Sequence, residues 1–401
     1  MSGGDSELAI PRGFRVAAVK AGIKQSGNLD LVVVAADSTC AAAGTFTTNR
    51  ICAAPVKWSR SLLPSVVTRA IVVNSGNANA ATGAQGLANA ERTAAHAALA
   101  LGCRPRQVLV ASTGVIGHQL PMAKIESGID LAVPRLSNQA DEFRTAAAAI
   151  MTTDTHPKLV SLVRRINGRD VTLLGMAKGA AMIGPRMATM LGFLLTDAPV
   201  WPADLKETLG AAVDRSFNCL SVEGHASTND TVLILSSTGN TEPAFAGDGL
   251  HEFGELVREA CESLAKMIAN DGEGATHFIT IDVEGCDTVA DARAIARAVA
   301  DSPLVKTAIH GADPNWGRIV SAAGYAGVAF AEESLSLWLN GVPVYQSGVP
   351  LSFDAAALSQ EIKSQRDVHL RLVFSDGVAS IRFWTCDLTA EYIRLNADYT
   401  T

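Results

Sequence analysis

A layered α/β or α+β protein with mixed sheets is the fold class predicted by this sequence of 401 residues. Three observations carry the prediction. Apolar runs of strand length recur along the whole chain. Amphipathic helical stretches lie between them. The two kinds of element intermix without a strict βαβ alternation.

The strand runs are LVVVAA (31–36), AIVVNS (70–75), VLVAS (108–112), TVLILSS (231–237), HFITIDV (277–283), HLRLVF (369–374) and SIRFW (380–384). Ile279, Ile281 and Val283 alternate with polar or smaller neighbours, as do Leu370, Leu372 and Phe374, so one face of each strand is expected to be buried. Among helices, GELVREACESLAKMIANDG (254–272) puts Leu256, Ala260, Leu264, Met267 and Ile268 on one stripe and ends at Asn270-Asp271-Gly272. The stretch 287–303 repeats the form with Val289, Ala292, Ile295, Ala296 and Val299, capped by Asp287 or Thr288 and stopped before Pro303. QGLANAERTAAHAALALGC (85–103) reads as an Ala-rich helix. Residues 242–254 read as the clearest loop.

Composition narrows the function classes. With 48% hydrophobic and 18% charged residues, a sizeable core is expected in one large domain or two to three ordinary ones. A net charge of −7 argues against nucleic acid or an anionic membrane as the main partner. The seven cysteines are scattered, odd in number and without C-x-x-C, which reads as free thiols in a reducing compartment. No signal layout opens the sequence and no run has the length of a membrane span, so a cytoplasmic protein is expected.

There is no P-loop, G-x-G-x-x-G, H-E-x-x-H or G-x-S-x-G, and the eight histidines are dispersed, so neither a nucleotide cofactor nor a metal is expected. NSGNANAATG (74–83) and ASTGVIG (111–117) are small, Gly-rich loops after strands, open to a ligand or simply tight turns. In DGEGATHF (271–278), Glu273 stands between glycines, suited to an ammonium group or to solvent.

The stretch KGAAMIGPRMATMLGFLLTDA (178–198) is too broken for one continuous helix or strand, and it carries a lone hydroxyl at Thr189. Thr189 is either a core threonine or a nucleophile exposed by cleavage after Ala188. In the second case its new α-amine, with a reference pKa of about 7.7–8.0, serves as the base for its own hydroxyl. The same hydroxyl could make the cut through an N-to-O acyl shift, helped by a strained turn around Gly179, Gly184 and Pro185.

KGAAMIGPRMATML resembles the maturation motif of the ornithine acetyltransferase family, bifunctional glutamate N-acetyltransferase/amino-acid acetyltransferases. STGVIG, AIMTTDTHPK, STNDTV, DGEGAT, SPLVKTAIHGADPNWGR and RLNADYTT resemble further family segments in family order, so the likeness spans essentially the whole chain. It implies an αββα-sandwich core, about 1–280, and a smaller C-terminal α/β region, about 281–401. It implies self-cleavage between Ala188 and Thr189 into an α chain (1–188) and a β chain (189–401), assembled as a heterotetramer of two α and two β chains or larger. Thr189 would take the acetyl group of N-acetylornithine and pass it to glutamate in arginine biosynthesis. There would be no bound cofactor, and acetyl-CoA would be a co-substrate in some members. Thr113 and the Gly114 N–H match the oxyanion hole. Lys178, Thr152 or Thr153 (with a lean to Thr153), Glu273, Asn396 and Thr401 match substrate contacts.

The sequence departs from the family pattern at Ala181 (usually Gly), Arg186 (usually Asn), and His225 and Ala226 (usually Asp and Thr). These departures bear on maturation and on the acyl donor. Two other readings fit the same motif: an autoprocessed amidohydrolase or aminopeptidase, and an unprocessed, non-catalytic amino-acid-binding paralogue.

Overall fold

The period-two runs pair into two sheets. The computed structural model describes residues 8–182, 184, 190–239 and 242–398. Among these the strands are β1 (Phe14–Val19), β2 (Leu31–Phe46), β3 (Ser65–Asn77), β4 (Val108–Val115), β5 (Lys158–Ile166), β6 (Arg169–Lys178), β7 (Leu191–Thr196), β8 (Thr231–Ser236), β9 (Phe278–Cys286), β10 (Ser336–Leu339), β11 (Val342–Gln346), β12 (Val349–Pro350), β13 (Asp367–Val373) and β14 (Ala379–Cys386). The helices are α1 (Ala54–Arg60), α2 (Gly83–Leu101), α3 (Met122–Ala132), α4 (Ala140–Ala149), α5 (Pro202–Arg215), α6 (Asp248–Asn270), α7 (Val289–Asp301), α8 (Pro303–His310), α9 (Trp316–Gly324), α10 (Ala355–Ser364) and α11 (Ala390–Asp398).

The first sheet runs β4-β3-β2-β8-β7-β6-β5, with β1 also on β2. Its long strand β2 serves two leaves. Leu31–Ala36 pair with β1, and Ala41–Phe46 pair with β8. Between Ala35 and Cys40 the register with β3 breaks. Such a break bends a strand, and here the bend folds one leaf over the other.

Side-chain parity shows the result. Val32, Val34, Ile71, Val73 and Leu109 of the first leaf share a core with Met176, Phe193, Leu195, Leu233 and Leu235 of the second. The alternate residues Leu31, Val33, Val72 and Val110 pack outward on α2 and α3. Leu173, Leu194, Val232 and Ile234 pack outward on α5 and α6. The order helix, leaf, leaf, helix is an αββα sandwich, built on strict period two.

The second sheet, β12-β11-β10-β13-β9-β14, belongs to the C-terminal part. Ile281, Val283, Leu370, Leu372 and Phe383 cluster with Ile295 and Val299 of α7 and Ile362 of α10. The alternate positions are polar: Arg382 grips Asp282 through two bonds of 2.7 and 2.8 Å.

The cap of α7 is Thr288, whose hydroxyl accepts from the Asp291 N–H at 3.1 Å. Residues 242–254 are not all loop. α6 starts at Asp248, one residue after Gly247 turns the chain at φ +53°. Three glycines lower helix propensity there, but Phe253 joins the same buried stripe as Leu256 and Leu264, so tertiary burial overrides propensity. The broken stretch from Lys178 is the end of β6, a connection, and the start of β7 at Leu191.

Phe193 on β7 is fully buried between the leaves. Phe193→Ala is expected to cost about 3–5 kcal/mol, read as a lower urea midpoint at unchanged slope. A loss of less than about 1 kcal/mol would mean that the two leaves do not share one core.

Candidate active site

The ends of β3 and β4 lie side by side, Ser75 opposite Thr113 and Gly76 opposite Gly114. The two Gly-rich loops of the sequence therefore form one wall. Gly114 has φ +130°, and a Cβ there would stand 2.3 Å from the Gly76 carbonyl carbon and 2.5 Å from the Asn77 nitrogen. Only glycine fits. Ser112 Oγ donates to Asn74 Oδ1 at 2.6 Å, and Asn74 Nδ2 donates to the Asn77 carbonyl at 2.8 Å. These bonds lock the two strand ends together. Thr113 is buried.

Lys178, the last residue of β6, brings its ammonium to 3.4 Å from Thr113 Oγ1 and is also buried. Burial pushes its pKa below the ordinary lysine value, with Asp154 opposing. Just beyond it, the Gly179 N–H donates to Asp154 Oδ1 at 2.6 Å. Asp154 also accepts from the Thr152 N–H at 3.0 Å and from Lys158 Nζ at 2.7 Å. Burial pushes the Asp154 carboxyl up, but Lys178, Lys158 and the Gly179 N–H outweigh it and hold the group well below the usual carboxylate range.

Lys158 is fully enclosed and reaches Asp271 Oδ2 at 2.6 Å as well. Asp271 opens the turn that carries Glu273, whose N–H donates to the Ala180 carbonyl at 3.0 Å. Asn396 Nδ2 of α11 donates to Glu273 Oε2 at 2.9 Å. Gly274, at φ +67°, lies so close to α11 that a Cβ would meet the Tyr392 nitrogen at 2.7 Å. The C-terminal helix is thus seated on the Glu273 turn.

The structure brings together Thr113, Gly114, Lys178, Glu273 and Asn396, from four separate segments. Thr152 lines a cleft of ≈ 640 Å³ with Lys24, Gly76, Asn77, Val115 and His118, whereas Thr153 is half-buried in the following bend. Ala188, Thr189 and Thr401, and with them Arg186, lie outside the described residues. The ends of the connection are described. Met182 has φ +53°, a strained value for a residue with a side chain. A Cβ on Gly184 would meet the Gly224 carbonyl carbon at 2.4 Å and the His225 nitrogen at 2.8 Å. The segment bearing His225 and Ala226 therefore packs directly on the connection. Among the described residues no group of three His, Cys, Asp or Glu side chains could hold a metal ion.

Sequence reasoning missed Asp154, Lys158, Asn229 and Asp230. All four sit inside AIMTTDTHPK and STNDTV, segments singled out by the family likeness, but nothing local in the sequence marks which of their residues pair.

Two outcomes follow from this geometry. Lys158→Met strands two buried carboxylates and is expected to destabilise the fold by about 3–5 kcal/mol, measured by denaturant titration. A variant as stable as the parent would remove the triad from its structural role. Gly114→Ala forces a Cβ into the Gly76–Asn77 backbone and is expected to cost about 1–3 kcal/mol of stability, read as a lower urea midpoint. An unchanged midpoint would show that the ends of β3 and β4 are not packed this closely.

The ArgJ family model matches residues 15–401. The chain is 45% identical to the arginine biosynthesis bifunctional protein ArgJ of Rhodopirellula baltica, over 98% of this chain and 96% of that one. It is 46% identical to the ArgJ of Dehalococcoides mccartyi, over 99% and 98%. The crystal structure of the arginine biosynthesis bifunctional protein ArgJ of Bacillus halodurans superposes with a TM-score of 0.50 at 34% identity, covering 52% of this chain and 98% of that chain. The family model reaches across nearly the whole sequence and the relatives match it end to end: the chain belongs to the ArgJ family.

Proposed function

We propose that this protein is an acyltransferase of arginine biosynthesis that moves the acetyl group of N-acetylornithine to glutamate through an acetyl-Thr189 intermediate. One observation carries the reading. Thr113, Lys178, Glu273 and Asn396, far apart in sequence, converge on the connection that leaves β6 at Lys178 and re-enters the sheet at β7.

The precursor cuts itself between Ala188 and Thr189. The strain at Met182 and the tight contact at Gly184 suit a turn held under load on the α side of that bond. Separation of the chains is not a consequence, because Lys178 and Leu191 are neighbours in an antiparallel pair that the cut leaves whole. The chain in the Bacillus halodurans crystal structure corresponds to 52% of this one, a length that one product of such a cut would have. Two αβ units make the assembly.

In the first half-reaction the Thr189 amine takes the proton of its own hydroxyl. The oxygen attacks the acetyl carbonyl, and the tetrahedral oxyanion is held by the Thr113 hydroxyl and the Gly114 N–H, each such donor contributing about 2.7–4 kcal/mol. The amine of ornithine leaves with the proton. In the second half-reaction the glutamate amine attacks the acetyl ester, and the hydroxyl of Thr189 is restored. Lys178 and Thr152 hold the substrate α-carboxylate, and Glu273, oriented by Asn396, faces the ammonium end of ornithine. Thr401 closes the pocket. We assign the carboxylate contact to Thr152 rather than Thr153 because Thr152 lines the cleft beside Gly76. Acetyl-CoA is a second donor to the same threonine, and no bound cofactor or metal takes part. The enzyme works in the cytoplasm.

Thr189→Ala is expected to remain one uncut chain and to transfer no acetyl group, checked on a denaturing gel and with N-acetylornithine plus glutamate. Intact-mass analysis of the parent after N-acetylornithine alone is expected to show one acetyl adduct on the β chain. Acetate release that does not depend on glutamate would instead make the protein an amidohydrolase.

A further inference from the structure

A transferase of this kind takes two amino acids of opposite side-chain charge in turn. The donor carries a side-chain ammonium, and the acceptor, glutamate, a side-chain carboxylate. Glu273 suits the first and repels the second, because like charges brought together cost binding. The amine and the α-carboxylate of both substrates meet the same contacts, so the direction of the side chain is what remains to vary. Staggered torsions offer three directions about its first bond. A carboxylate turned away from Glu273 needs a cation elsewhere within reach of Thr152.

The cleft that Thr152 lines supplies one. Lys24 and His118 line it as well, and none of the described residues around it is acidic. Lys24 lies against the wall built by the ends of β3 and β4. A Cβ on Gly76 would meet Lys24 Cγ at 3.0 Å, and Gly76 stands opposite Gly114. The turn that carries Lys24 is fixed. The buried Asp30 carboxylate accepts from the Ala21 N–H at 2.6 Å and the Lys24 N–H at 2.9 Å, and the Asp30 carbonyl accepts from the Ser75 N–H at 2.9 Å. The wall is fixed too. Asn229 Nδ2, just before β8, donates to the Ser112 carbonyl at 2.8 Å and the Ala78 carbonyl at 2.6 Å. Its neighbour Asp230 reaches the other way and accepts from the Met190 N–H at 3.0 Å.

The Lys24 ammonium donates to the carbonyls of Leu29 at 2.8 Å and Ala149 at 3.0 Å, and Ser75 Oγ donates to the same Ala149 carbonyl at 2.7 Å. An ammonium has three N–H bonds. Two go to these neutral carbonyls, and no carboxylate of the described residues takes the third. The charges of Asp30 and Asp154 are felt at Lys24, but their oxygens are engaged by the N–H groups of Ala21, Ile23, Lys24 and Gly179 and by the Lys158 ammonium. The wall thus carries one lysine at Thr113, Lys178, and a second at Gly76, Lys24. His118 stands exposed at the mouth of the cleft, and its ring carries an N–H in either tautomer.

We propose that the cleft beside Gly76 is the subsite for the acceptor's side-chain carboxylate, held by the Lys24 ammonium with His118 at its mouth. Donor and acceptor are then distinguished by the way the side chain turns from a shared α-carbon: ornithine toward Glu273, glutamate toward Lys24. This inference rests on the proposed acetyl transfer to glutamate.

Lys24→Met tests it, because the thioether keeps the stem against Gly76 and removes the ammonium. Steady-state rates with N-acetylornithine and glutamate varied in turn separate the two half-reactions. Glutamine, which has the shape of glutamate without its charge, serves as a second acceptor. The expected result is a kcat/KM for glutamate at least about tenfold lower and a preference for glutamate over glutamine reduced by a similar factor. The kcat/KM for N-acetylornithine is expected to stay within about twofold of the parent. An unchanged preference for glutamate over glutamine would overturn the inference and leave acetyl transfer intact, even where all rates fall together. A loss confined to assays with acetyl-CoA as donor would also overturn it, since the cleft would then take the donor's phosphates. A parent protein that transfers no acetyl group to glutamate would overturn the underlying reading instead. If a thermal melt shows that Lys24→Met does not fold, His118→Ala decides at an exposed position. It is expected to lower the preference for glutamate over glutamine about threefold or more, and an unchanged preference ends the assignment.

Discussion

A wholly buried ammonium shared by two carboxylates is the contact on which the site depends. Lys158 joins Asp154, which holds the Gly179 N–H, to Asp271, which opens the Glu273 turn. Burying charge is expensive, and a single buried pair is weak grounds for stability. The arrangement is nevertheless balanced, since Asp154 and Asp271 face Lys158 and Lys178. The short, directional bonds do what apolar packing could not. They fix the end of β6 and the Glu273 turn in one orientation, so that the Lys178 ammonium and the Glu273 carboxylate, two opposite charges, stay at a set separation.

The second constraint is the bend in β2. Because that strand passes from one leaf to the other, the loops after β3 and β4 meet the ends of β6 and β7 at the seam of the sandwich. The oxyanion wall comes from one leaf and the reactive connection from the other. Neither leaf holds the site alone, which explains why the residues just before β8, the strand beside the second half of β2, reach both sides.

Much of this was legible in the sequence. The alternating runs of β9 and β13 and the stripes of α6 and α7 announced themselves because one face of each is buried and the other is polar. β5, at the end of the first sheet, was illegible for the opposite reason: Ser161, Arg164 and Arg165 interrupt its apolar positions. β7 was hidden by its brevity and by the broken stretch before it. The site residues Thr113, Gly114, Lys178, Glu273 and Asn396 came from family likeness, not from periodicity, and folding brings them together across long stretches of chain, 123 residues for the Asn396–Glu273 contact alone. The supporting residues escaped because pairing such as Lys158 with Asp271, across 113 residues, exists only in three dimensions.

The length of the β6–β7 connection completes the physical picture. Lys178 and Leu191 are paired neighbours on adjacent antiparallel strands, a gap that a turn of about two residues can close. Residues 179–190 are far more chain than the gap requires. The surplus costs loop-closure entropy that grows only slowly with length, and it is anchored at described points: Gly179 on Asp154, Ala180 on Glu273, Gly184 against Gly224, Met190 on Asp230. One peptide bond there can be cut without loss of a sheet hydrogen bond, because β6 and β7 are held by each other and by β5 and β8. The fold therefore tolerates at this position what would break it at almost any strand interior. Ala181 belongs to this anchored connection and the segment bearing His225 packs against it, so these departures from the family pattern fall outside the strands that hold the sandwich together.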